Sequence, residues 1–261
     1  MLMCPARASI LTPLVPYVRL LDTRSDVSDL TTYTFTACNL GMIGLVSSPA
    51  ANVYGTNPLL RSAQRNMIVV AVHGEDAAVT FNVSSVTIGG VAGTEGPDRG
   101  GATSAINTAI YYWRTDQLQG IANTDVVVTF SEAVTHCAIG VMSVENLSLC
   151  VRIAGAASNT FTGTGTLTLG PTTTVENIDL GLVGIFAASC ITGGGTEGFS
   201  IQSGIGGSPP DILYAGSTAE MDYAVAWSRS LQWNGANDKP IEFLASWSGA
   251  GAGDAACAIF F

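Results

Sequence analysis

The chain has 261 residues, 47% hydrophobic and only 11% charged, with ten Lys+Arg against twenty Asp+Glu for a formal net charge of −10. The length suits one large β domain or two small ones. A charge content far below the roughly 25% of ordinary soluble domains implies a Ser/Thr/Asn-rich surface, or one covered by other subunits. Lys239 is the single lysine; neutralising phosphates takes clustered Lys/Arg, so no nucleic-acid partner is expected.

Residues 1–30 differ from the rest of the chain. Ile10, Leu11, Leu14, Val15, Tyr17, Val18, Leu20 and Leu21 share the stretch with Pro5, Pro13 and Pro16 and with Arg7, Arg19 and Arg24. Neither strand nor helix periodicity lasts, and the prolines favour an extended chain. The reading is an extended N-terminal arm over 1–30, ahead of a β-sandwich domain over 31–261. An extended arm buries little against itself. Its apolar side chains, with Arg19, are therefore expected to anchor the protein in an assembly. The competing expectation is an arm folded back as a strand on the edge of its own sheet. Charge divides along the same line. The first 65 residues hold five arginines and three aspartates, a balance of +2, and the remainder holds five basic and seventeen acidic residues, or −12. A mildly basic lead-in on an acidic body suits docking on an acidic neighbour such as another copy, and a homo-oligomer is expected. Met1-Leu2-Met3-Cys4-Pro5 has no basic lead and no unbroken apolar run, so synthesis in the cytoplasm is expected. The longest apolar run, Leu180 to Ile191, is too short to span a bilayer, and no membrane partner is expected.

From Thr31 onward, strand follows strand. Thr32, Thr34 and Thr36 alternate with Tyr33, Phe35 and Ala37, the period of a half-buried strand. Met67 to Val72 is continuously apolar and suits a central strand. Val86-Thr87-Ile88 meets Gly89-Gly90 and then Val91, a two-residue hairpin signal. Ile106–Trp113, Val126–Phe130 and Val134–Val144 follow, the last with Cys137, Ile139 and Val141 on one face and His136 and Ala138 on the other. Thr160–Leu169 reads as a strand pair or one long ribbon. Ile178–Cys190, Phe199–Gln202, Met221–Trp233, Ile241–Trp247 and Ala255–Phe261 complete the series. Residues 40–65, with Pro49 and Pro58, read as a long loop or a lateral insertion. Thirty glycines and ten prolines at strand spacing fit an all-β sandwich, jelly-roll or immunoglobulin-like.

Motifs for chemistry are weak. Gly193, Gly195 and Gly198 spell the dinucleotide fingerprint, but Phe199–Gln202 continues as strand where a helix must hold the pyrophosphate, so no cofactor is expected. His73 and His136 are the only histidines. They lack the spacing of a zinc site, and neither sits in a nucleophile motif, so no metal and no catalytic residue is assigned. Glu75, Asp76 and Glu132 flank strands as a glycosidase pair would, and as solubilising loop residues commonly do. Trp227 and Trp233 bracket a polar stretch and are candidate glycan contacts, set against the ordinary role of tryptophan in a core. The six cysteines contain no C-x-x-C pair and are expected to be reduced and mostly buried.

One pattern goes further. Leu30–Phe35, Asn66–Val72, Ser84–Ala92, Asp125–Ser131, His136–Val141 and Ala245-Ser246-Trp247, in that order, resemble a recurrent virion module of tailed bacteriophages, over roughly residues 30–250. The resemblance implies a β-sandwich on a phage head or tail, a capsid decoration (cement) protein or a tail or fibre component. Its partners would be the major capsid or tail protein. It leaves a carbohydrate-binding host-attachment module as the reading from another class and an enzyme as the last.

Overall fold

The computed structural model describes residues 17–41, 66–76, 80–100, 105–145, 155–161, 165–169, 182–191, 199–203, 211–218, 221–230, 243–247 and 254–260. Nearly all of them are strand. The first half holds β1 (Tyr17–Asp26), β2 (Leu30–Phe35), β3 (Met67–Glu75), β4 (Val83–Ile88), β5 (Val91–Ala92), β6 (Thr94–Gly100), β7 (Ile106–Arg114), β8 (Val126–Val134) and β9 (His136–Glu145). The second half holds β10 (Gly155–Phe161), β11 (Gly165–Leu169), β12 (Leu182–Ile191), β13 (Phe199–Ser203), β14 (Asp211–Ser217), β15 (Met221–Ser230), β16 (Phe243–Trp247) and β17 (Asp254–Phe260). A 3-10 turn, Thr115–Leu118, interrupts the loop between β7 and β8 and sinks Leu118 into the core.

The strands form four antiparallel sheets. Sheet A has the order β1-β9-β3-β7-β6 and sheet B the order β2-β8-β4-β5; sheet C runs β10-β17-β12-β15-β14 and sheet D runs β11-β16-β13. Counting β5 and β6 as one strand bent at Gly93, sheets A and B carry strands one, eight, three, six and two, seven, four, five of a series of eight. That is a jelly roll. An immunoglobulin-like sandwich sets its first strand beside its second; here β1 pairs with β9, Tyr17 opposite Glu145 and Asp26 opposite Cys137. Sheets C and D repeat the same order, except that among the described residues sheet D has no counterpart of β5. The span 31–261, read from sequence as one sandwich, thus holds most of one jelly-roll set and a second set of sheets with its topology.

The arm requires a correction. Tyr17–Asp26 is not an arm but the edge strand of sheet A, with Val18 buried, and Leu30 already opens β2. The boundary at residue 30 thus leaves out all of β1 and cuts off the first residue of β2. Ile10, Leu11, Leu14 and Val15 lie outside the described residues, as does 42–65. Thr160–Leu169 also differs from expectation: β10 pairs with β17 and β11 with β16, so the segment is two strands of two different sheets.

Burial explains why the strands read as they do. Sheet A lies between sheets B and C, so β3 is buried along its whole length; a strand covered on both faces is continuously apolar. Sheet B has one free face, and β2 and β8 alternate accordingly: Tyr33, Phe35, Val126, Val128 and Phe130 point inward to Ile68, Val70, Tyr111, Trp113 and Ile139 of sheet A. The hairpin at Ile88–Val91 turns on Gly89 and Gly90, with φ of 54° and 82°, the left-handed pair that a two-residue turn needs. A Cβ on Gly90 would meet nothing, whereas one on Gly89 would stand 2.5 Å from the Asn123 carbonyl oxygen. Gly90→Ala should therefore cost about 1–2 kcal/mol of backbone strain alone, and Gly89→Ala clearly more. Equal losses in urea unfolding would contradict this account of the turn.

Candidate functional site

The face of sheet A turned away from sheet B meets sheet C. Met67, Val69, Ala71, Ile110 and Val144 pack there against Val183, Ile185, Ala187 and Val225, and a short polar seam is set into this apolar layer. His73 continues the apolar face of β3 and is fully buried. Its Nδ1 lies 2.7 Å from the Ser189 hydroxyl on β12 and its Nε2 3.0 Å from the Tyr214 hydroxyl on β14. Ser189 Oγ is also 2.7 Å from Thr108 Oγ1 on β7. The Tyr223 ring stacks on the imidazole with centroids 5.2 Å apart and planes 27° apart. Tyr214 reaches the seam because Gly140 on β9 leaves room for its ring; a Cβ there would collide with it. Burial pushes His73 down to about 3 and the Tyr223 phenol up. The imidazole is therefore neutral and offers one donor and one acceptor, both engaged.

A second polar group closes the end of the same face. Glu75 is fully buried, and its Oε2 is 2.8 Å from His136 Nδ1 and 3.1 Å from Thr135 Oγ1. Thr135 is the one residue joining β8 to β9, and its hydroxyl also donates to the Glu75 carbonyl at 3.1 Å. The cluster pins that crossing.

These groups bear on the residues singled out in the sequence. An imidazole beside a serine hydroxyl is the start of a nucleophile–base pair. Here the far nitrogen meets a phenol rather than a carboxylate, and Ser189 is sealed between two sheets, so the arrangement works as a hydrogen-bonded lock. Glu75 and Asp76 are buried while Glu132 is exposed on β8. Trp227 is half-buried and packs into the layer between sheets A and C; Trp233 lies outside the described residues. Val18 and, half-buried, Leu20 pack into that same layer, while Leu21 packs on the core between sheets A and B. Tyr17 hydrogen-bonds Glu145, which Arg19 also approaches at 3.5 Å. Cys38 and Cys137 are free and buried, their thiols pushed up by desolvation. Among the described residues, no three metal-ligating side chains come together.

The seam was not foreseen. Ser189, Tyr214 and Tyr223 lie more than a hundred residues from His73, and only the docking of two sheets assembles them. The one signal in the sequence was a histidine closing a run of six apolar residues, a position buried on both faces. No protein-family model, curated protein or solved structure matches the chain.

Proposed function

We propose that the protein is a structural component of a phage particle, a decoration or cement protein that stabilises the head through contacts between subunits. The resemblance over residues 30–250 supports the reading, and so does a surface poor in charge. The observation that carries it is how the polar chemistry is used. His73, Ser189 and Glu75, the groups nearest to catalytic potential, are buried and hydrogen-bonded where they fasten strands and layers together. Such a body is built for rigidity and contact area.

The test is to purify particles that carry the protein, locate it by antibody labelling, and compare heads with and without it under heating. The expected result is label over the head surface and earlier rupture of heads that lack it. Label confined to the tail would replace this reading with a tail or fibre role. Absence from particles, together with glycan binding lost in Trp227→Ala, would replace it with host attachment.

A further inference from the structure

The two sets of sheets agree in register as well as in order. A constant shift of 116 residues carries β3 onto β12, Met67 to Val183 and Glu75 to Ile191; a shift of 115 carries β7 onto β15, Arg114 to Arg229 and Ile106 to Met221. Counterparts share environments. Val69 and Ile185, Ala71 and Ala187, and Ile110 and Val225 all lie in the layer between the sandwiches, and Tyr112 and Trp227 both pack half-buried against it.

The same shifts carry His73 to Ser189 and Thr108 to Tyr223. These four residues touch one another in a reciprocal way. His73 and Ser189 bond directly, Thr108 bonds Ser189, and Tyr223 stacks on His73. A residue of one half thus meets the counterpart of its own neighbour, and the converse contact is also made. Two pairs of strands repeat the rule, β6 meeting β10 while β14 meets β1, and β7 meeting β12 while β15 meets β3; β17 meets β6 and β7 more extensively than β9 meets β14 and β15, so the symmetry is approximate. Reciprocal contact of this kind is the mark of a two-fold axis. Two similar sandwiches packed by convenience would have no reason to show it.

We infer that the chain is a covalently joined dimer of one jelly-roll unit. A pseudo-two-fold axis runs between His73 and Ser189, and the outer face of each five-stranded sheet is a self-recognising protein interface whose partner is a copy of the same unit. This goes beyond the particle role and does not depend on it. The linked halves bind each other as subunits do, through an apolar layer with a polar lock at its axis.

The experiment cuts the full chain. A protease recognition sequence is inserted between Glu145 and Gly155, and the cleaved protein is followed by size exclusion and native mass spectrometry. The halves are expected to stay together at the mass of the uncut chain. Ala71→Leu and Ala187→Leu are counterpart wedges in the interface. Each should weaken the cut pair about tenfold or more, and the two effects should agree within about threefold. Wild-type halves that separate or precipitate on cutting would overturn the inference, as would a wedge that acts while its counterpart does not. Should the insertion itself prevent folding, calorimetry of the uncut variants reads the same symmetry, with similar falls in Tm expected and clearly unequal ones overturning it.

Discussion

Replacing Trp113 by alanine is expected to lower the unfolding free energy by about 3–5 kcal/mol, the usual range for deleting a large aromatic side chain from a packed core. Trp113 is fully buried in β7 between sheets A and B. Its indole N–H donates to the Val91 carbonyl at 3.1 Å, the point where the chain leaves sheet B. Its ring occupies the space in front of Gly93, where a Cβ would lie 2.5 Å from Cζ2. The tryptophan therefore fills the core and also holds the bend by which one strand passes from sheet to sheet. Trp113→Phe keeps much of the volume but removes the indole donor to the Val91 carbonyl, so a smaller loss is expected. Urea unfolding followed by circular dichroism measures both. A loss under about 1 kcal/mol for alanine would mean that the bend does not depend on the ring.

Acid should loosen the molecule through His73. Burial holds this imidazole at about 3 when folded, against an ordinary 6.5. The unfolded chain therefore binds a proton that the folded chain refuses. Stability from this group is complete above pH 6.5 and is lost progressively as pH falls toward 3, with a slope of up to about 1.4 kcal/mol per pH unit. The titratable groups facing it are the Tyr214 and Tyr223 phenols, neutral throughout that range, so they leave its charge unopposed. Glu75 shares its strand face two residues on but hydrogen-bonds His136. His73→Gln keeps a neutral hydrogen-bonding side chain and removes the titration. It should be less stable than wild type at pH 7, and the difference should shrink or reverse by pH 4. A constant difference across that range would show that His73 is not the acid-sensitive group.

Strand identity was legible because burial leaves a period in the sequence. Sheet B strands alternate, β3 does not, and the Gly89-Gly90 turn announces itself. The first strand hid for a physical reason: its register shifts between Leu20 and Asp22, and a bulge of this kind breaks the period-two pattern. Its partly exposed edge position adds polar residues that blur it further. The duplication hid because the two halves share register but little side-chain chemistry: Trp113 corresponds to Ser228, Glu75 to Ile191 and Ile68 to Gly184. Along β3/β12 and β7/β15, only Ala71 with Ala187, Ala109 with Ala224 and Arg114 with Arg229 remain the same residue. Of the polar lock only His73, closing the apolar run of β3, left a mark in the sequence; its partners are ordinary strand residues until one sheet docks on the other.

The short crossings in the first sandwich have a mechanical consequence. Residues 27–29 join β1 to β2, Gly93 joins β5 to β6, and Thr135 joins β8 to β9, each linking sheet A to sheet B within three residues or fewer. The two plates are riveted at both lateral borders and near one end, so they cannot slide past each other or gape without rupturing hydrogen-bonded ladders. Between the sandwiches no such rivet exists among the described residues; that plane is held by apolar contact and the imidazole lock. Under load the molecule should behave as two stiff blocks with one designated slip plane, yielding first at His73 and Ser189 while each block keeps its shape.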